Sequence, residues 1–208
     1  MRKTLGEVSA GAAFWRFSLA FYALPGVAEA LLALQDAGGF DVNLILFGLW
    51  LGLSGRGRLD GARLAAAEAL SRPLRTEIVV PLRQLRRRIA PRPEADFRRL
   101  RAAILELELK AERAVQERLV GGAGPSERPA DLPLRRADAQ ANLRFYLGAE
   151  AAGRAEAAVV GQALATFSAT NRAAHAHLSP PSSGRAGSPQ RLTVPLSRPN
   201  RSRVRPRV

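Results

Sequence analysis

The stretch Asp41-Val42-Asn43-Leu44-Ile45-Leu46-Phe47-Gly48-Leu49-Trp50-Leu51-Gly52-Leu53 decides the fold class. From Leu44 onward it is apolar on every face of a helix, and such a helix is stable in water only when other elements surround it. The run Leu44 to Leu53 is about half of the roughly 20 residues that a membrane-spanning helix needs, so it reads as the central helix of a water-soluble core. Asp41 supplies its start: the carboxylate accepts from unpaired N–H groups of the first turn, with Phe40 and Ile45 placed as a hydrophobic staple. Gly48 leaves room for a neighbouring helix to come close.

Helical spacing continues on both sides of this segment. Phe14, Phe17, Ser18, Phe21 and Leu24 recur at threes and fours, with Trp15, Leu19 and Tyr22 beside them, and predict a broadly apolar first helix. Pro25 suits the first turn of a second helix to Ala37, ended by Gly38 and Gly39. After a turn at Ser54 to Arg58, Leu59 to Leu70 predicts a fourth helix and Leu74 to Ile89 a fifth, bent or broken at Pro81. Pro91 and Pro93 stop it. In the long helix expected over Glu94 to Leu119, Phe97, Leu100, Ile104, Leu107, Ala111 and Ala114 form a coiled-coil-like seam, which leaves Glu106, Glu108, Glu112 and Glu117 on a solvated face. Gly121 to Pro133 reads as a surface loop, and Leu134 to Gly148 and Ala151 to His175 as two more helices. No convincing period-two segment occurs. The expectation is an all-α chain: a single compact multi-helix bundle over residues 1–177, built around the apolar hairpin of the second and third helices within residues 14–53. Residues 178–208, rich in Arg, Ser and Pro, predict a disordered basic C-terminal tail.

The formal charge of +14 divides into two places. Arg72 to Arg101 holds ten Arg against three acids, and Ser179 to Val208 holds seven Arg and no acid. Within the first, Arg83, Arg86, Arg87, Arg88, Arg92, Arg98, Arg99 and Arg101 form a candidate anion-binding run suited to a phosphate backbone. Aromatic side chains for base stacking are missing from it except Phe97, so sequence recognition has no support. Because 30 of the 32 basic residues are Arg, with Lys3 and Lys110 the exceptions, a GC-rich genome accounts for part of the bias. With no Cys and no cleavable leader pattern in Met1 to Ala13, the expected compartment is the cytoplasm.

Three further constellations carry candidate chemistry. Arg16, Gln35, Asp36, Asp41 and Asn43 form a possible polar site at the junction of the second and third helices; a buried Arg16 would need Glu29, Asp36 or Asp41 as partner. The competing reading is that Asp41 caps a helix while Gln35, Asp36 and Asn43 satisfy backbone groups at one corner. Trp15, Tyr22 and Trp50 are a possible aromatic lining, against a plain packing role. The glycines at 52, 55, 57 and 61 beside Arg56 and Arg58 suit an anion, but their spacing matches neither dinucleotide- nor triphosphate-binding loops, and they follow a helix where those motifs follow a strand. His175 and His177, two residues apart with no Cys, do not make a metal site or a credible serine triad.

The segment Phe14-Trp15-Arg16-Phe17-Ser18-Leu19, then Tyr22, Pro25-Gly26-Val27, Leu34-Gln35-Asp36, Asp41-Val42-Asn43-Leu44 and Leu49-Trp50-Leu51-Gly52, resembles a proteobacterial family of conserved hypothetical proteins, a domain of unknown function. The resemblance covers residues 14 to 53, with Asn142, Tyr146 and Leu147 as counterparts of a late family helix. It implies a small cytoplasmic protein with no established activity, cofactor or catalytic residue. The residues themselves show no catalytic constellation. The expected function is therefore a non-enzymatic module that binds a protein partner, without cofactor or membrane. The alternatives are a nucleic-acid or ribonucleoprotein accessory acting through residues 72–101, and a small-molecule binder or enzyme using the polar turn at 35–43.

Overall fold

The central helix α3 (Val42–Leu53) starts where Asp41 caps it, the Asn43 N–H donating to Asp41 Oδ1 at 2.9 Å, and every residue from Asn43 to Leu53 is buried. Around it the computed structural model, which describes residues 10–126 and 132–176 with side chains through residue 167, arranges α1 (Ala10–Tyr22), α2 (Val27–Gly38), α4 (Gly61–Leu74), α5 (Val80–Ile89), α6 (Ala95–Gly121), α7 (Leu132–Ala152) and α8 (Ala155–Ala176). Among the described residues there is no strand, and the fold is an all-α bundle. The expected tail at 178–208 and His177 lie outside the described residues, as does the side chain of His175.

The core is not built on a hairpin of α2 and α3, as the sequence suggests. The chief partner of α3 is α7, from the far end of the chain, while α2 packs chiefly against α8. Gly48 and Gly52 are the cause. One turn apart, they remove the side chains from one stripe of α3; a Cβ at Gly52 would fall on the backbone of Ala139, and one at Gly48 would press on Leu59 and Asn142. On the other flank Phe14 packs on Trp50 with ring centres 5.1 Å apart, and Phe17 and Phe21 meet Phe167 of α8.

Residues 61 to 89 form one long helix rather than two. Between α4 and α5 the turn Arg75–Val79 is a π turn, in which the Val80 N–H donates to the Arg75 carbonyl five residues back. Pro81 explains it: its ring would collide with the Glu77 carbonyl in a regular helix, and the wider turn moves that carbonyl aside without breaking the rod. Pro25 likewise stays outside α2, which begins after Gly26 in the left-handed conformation (φ 74°). On α6 the buried face is turned from the expected seam. Leu100 and Leu107 are 54% and 52% exposed, while Ile104, Glu108, Val115, Gln116 and Leu119 are buried. α1 and α2 meet at 100°, and no single described helix is long and apolar enough to cross a membrane.

Candidate functional site

Two features of the α5–α6 hairpin command notice: a polar clamp on its inner side and an apolar stripe on its outer side. The clamp begins at the corner between α2 and α3. Arg83 donates to Gln35 Oε1 at 2.5 Å, to Glu108 Oε1 at 2.8 Å and to Glu112 Oε1 at 2.6 Å, while Arg86 donates to Glu108 Oε2 at 2.6 Å. Arg87 forks onto both oxygens of Asp36 at 3.0 Å. Deeper in, Gln116 donates to Asn43 Oδ1 at 2.9 Å and accepts from the Ser18 hydroxyl at 3.1 Å, tying α1, α3 and α6 together. Asp41 does more than cap: its backbone N–H donates to the Tyr146 hydroxyl at 3.0 Å, and Arg75, carried on the π turn, stands 3.3 Å from its second oxygen.

The electrostatics follow from burial. Asp41, Glu108 and Glu112 are balanced by Arg75, Arg83 and Arg86. Burial pushes the Asp41 carboxyl up, and the Arg75 charge only partly reverses this. Burial also raises Glu112, with the neighbouring Glu108 charge adding to it against the pull of Arg83. Burial would raise Glu108 too, but hydrogen bonds from Arg86 and Arg83 outweigh it and hold that carboxyl below the usual range. The Tyr22 hydroxyl is pushed up to about 12, first by burial and then by the Glu112 charge.

Of the polar candidates, Gln35, Asp36, Asp41 and Asn43 are brought together, and each is bonded to an arginine, a glutamine or the backbone, so the corner acts as a clasp between elements. Arg16 lies exposed on α1, away from the clasp. Trp50 is buried against Phe14 and Phe47, Trp15 and Tyr22 are half-buried, and among the described residues no ring contact joins these three. Glu108 and Glu112 do not lie on a solvated face: Glu108 is 3% exposed. Their signal in the sequence is the run Glu108, Glu112, Gln116, a polar stripe at every fourth residue of an otherwise amphipathic helix. Nothing in the sequence marks Arg75, and although Ser18 and Tyr146 stand in the stretches that carry the family resemblance, nothing there signals their hydrogen bonds to Gln116 and Asp41.

The arginine run is split by the same geometry. Arg83, Arg86 and Arg87 turn inward onto acids, and Arg92 sits over the Phe97 ring with Glu94 at 3.8 Å. Arg88, Arg98, Arg99 and Arg101 make no ion pair among the described residues and cluster toward the turn of the hairpin. On its outer side, Leu82, Leu85 and Ile89 repeat at three and four along α5, as do Leu100, Ile104 and Leu107 along α6. Because Arg83 and Arg86 point at Glu108 and Glu112 across the two antiparallel helices, both stripes fall on one side of their contact. Ile104 is buried yet apart from the main core, as the floor of this face, and Leu85, Leu100 and Leu107 are 36%, 54% and 52% exposed.

Comparison with known proteins adds one relationship. The profile of a family described as a protein of unknown function (DUF2390) matches residues 13–119, so it takes in α1 to α6, the clamp apart from Tyr146, and the whole hairpin. Asn142, Tyr146 and Leu147 fall beyond the match. No curated protein and no solved structure matches the chain. With half of its length matched by that profile, the chain belongs to the DUF2390 family of proteins of unknown function.

Proposed function

We propose that the protein is a non-enzymatic helical module whose α5–α6 hairpin binds a partner protein through an acidic, amphipathic helix of that partner. The observation that carries this reading is the exposure of Leu100 and Leu107 beside Leu85, an apolar stripe that no described residue covers, on a hairpin whose inner side is tied up in the arginine–glutamate clamp. Arg88, Arg98, Arg99 and Arg101 near the hairpin turn, which make no ion pair among the described residues, favour an occupant of negative charge. A second copy would bring basic ends together or leave them unmatched. A phosphate backbone is less suited, because Arg83, Arg86 and Arg87 are already neutralised from within.

The test is native purification of the wild-type protein and of the double variant Leu100→Glu/Leu107→Glu, with mass and stoichiometry of the species recovered. A partner held at fixed stoichiometry by the wild type and lost by the double variant, while thermal unfolding stays the same, supports the reading. Recovery of a homodimer disrupted by the same variant, or of nucleic acid released by salt, replaces it.

A further inference from the structure

We propose that the cleft between the turn at residues 55–63 and the turn at residues 122–125 is a binding site for a small phosphate-bearing anion. The cleft has a volume of about 710 Å³ and is lined by Arg56, Arg58 and Arg63 with Gly57, Gly124 and Asp138. It lies at the α3–α4 and α6–α7 connections, whereas the proposed partner face is on the α5–α6 hairpin.

The arginines are fixed in place by neutral groups. Arg63 donates to the carbonyls of Arg56 at 3.1 Å, Arg58 at 2.6 Å and Ala123 at 3.0 Å, and so rivets the two turns together. Arg56 donates through Nε to the Gly124 carbonyl at 3.1 Å and lies 4.4 Å over the Trp50 ring, and its two terminal amino groups make no hydrogen bond among the described residues. Asp138 pairs with Arg58 at 2.8 Å, and the Asp60 carboxylate accepts from the Arg63 backbone N–H. Two half-buried guanidinium charges, Arg56 and Arg63, therefore have no carboxylate within ion-pair distance among the described residues. Partial burial without a counter-charge is unfavourable, and it pushes the Arg56 pKa down. An anion of two charges removes the imbalance, and the forked geometry of guanidinium matches phosphoryl oxygens.

The backbone is open where such a ligand would lie. Gly57 and Gly124 have φ of 83° and 71°, and a Cβ at either would meet no atom within 4 Å. Their conformation reserves these positions for glycine, and the space beside them admits a ligand against the chain. The site owes nothing to a phosphate-loop motif. Residues from two turns about sixty positions apart assemble it, so the sequence offers Arg56, Arg58 and the neighbouring glycines as suited to an anion but not the second turn that completes the cleft.

The experiment titrates the full chain with pyrophosphate, and separately with inorganic phosphate, following Trp50 emission in a Trp15→Phe background and heat of binding. Saturable one-to-one binding is expected, weakened about tenfold or more by Arg56→Gln. Arg56→Lys should recover part of it, and Arg88→Gln/Arg98→Gln should leave it unchanged. Unfolding temperatures of the unliganded variants separate lost affinity from lost structure; should Arg56→Gln unfold, protection of wild-type Arg56 from a guanidine-directed reagent by pyrophosphate serves instead. Absence of saturation with both probes overturns the proposal. So does equal loss in the Arg88/Arg98 variant, which would place the anion on the hairpin surface.

Discussion

Glu108 and Glu112 stand four residues apart on one face of α6, yet their carboxyls shift in opposite directions, because arginine hydrogen bonds outweigh burial only at Glu108. Glu108 is gripped by two arginines and ionises more readily in the folded chain, so its contribution to stability is present above the ordinary carboxylate range and is lost as pH falls through its lowered pKa. Glu112 is raised, so its contribution is present below its unfolded pKa and is lost as pH rises through the folded value. Glu108→Gln should therefore lower stability by about 3 kcal/mol at neutral pH, since it leaves Arg86 and Arg83 short of a counter-charge, with the deficit shrinking toward acid. Glu112→Gln should match the wild type in acid and gain on it toward neutral pH. Urea denaturation of the three proteins across that range checks both signs, and parallel curves would show that the two carboxylates titrate alike. At this scale the sequence disclosed Asp41 as a cap and the convergence of Gln35, Asp36, Asp41 and Asn43, because both are local to one corner. It concealed Glu108, because one of several acids on an amphipathic helix reads as surface until Arg83 and Arg86 arrive from another helix.

At the scale of elements, α3 and α7 approach closely, and the approach depends on the absence of two side chains. Gly52→Ala puts a methyl group into the Ala139 backbone, which cannot move aside as a flexible side chain would, so stability should fall by about 2–3 kcal/mol. Gly61→Ala, where a Cβ meets nothing, is the matched control. Thermal unfolding distinguishes them, and equal midpoints would mean that α7 does not press on α3 at this point. The helices were legible as helices from their spacing, but their partners were not. Gly48 was readable as a site of close approach, whereas the choice of α7 over α2 rests on a contact across about ninety residues of chain. The long helix α6 shows the same limit. Its apolar residues spread over more than one face, and the phase that becomes buried is selected by Glu108 and Gln116 finding partners, which leaves Leu100 and Leu107 outside. Because no described residue covers them, Leu100→Glu/Leu107→Glu should change stability by no more than about 0.5 kcal/mol. A large loss in the same unfolding assay would place these leucines inside the packed structure.

For the molecule as a whole, the family match and the folding unit differ in extent. The match stops at residue 119, but the all-apolar α3 is closed on one side by Ala139, Asn142, Leu143 and Leu147 of α7, and the Phe17–Phe21 pair by Phe167 of α8. Asn142 binds three backbone groups in the turn and helix it covers, accepting from the Leu59 N–H at 2.7 Å and donating to the Gly48 and Gly57 carbonyls at 2.9 and 3.1 Å. Removing α7 would expose that apolar face and orphan those backbone groups together, a loss beyond the 5–15 kcal/mol that ordinarily separates folded from unfolded chains. A fragment ending at Ser126 should therefore keep much of its helical signal but lose cooperative unfolding and bind a hydrophobic dye, whereas one ending at Ala176 should unfold in a single sharp transition. Calorimetry on the two fragments decides between these states. A sharp transition in the shorter one would show that the matched segment folds unaided, and would reduce α7 and α8 from part of the core to an appendage on it.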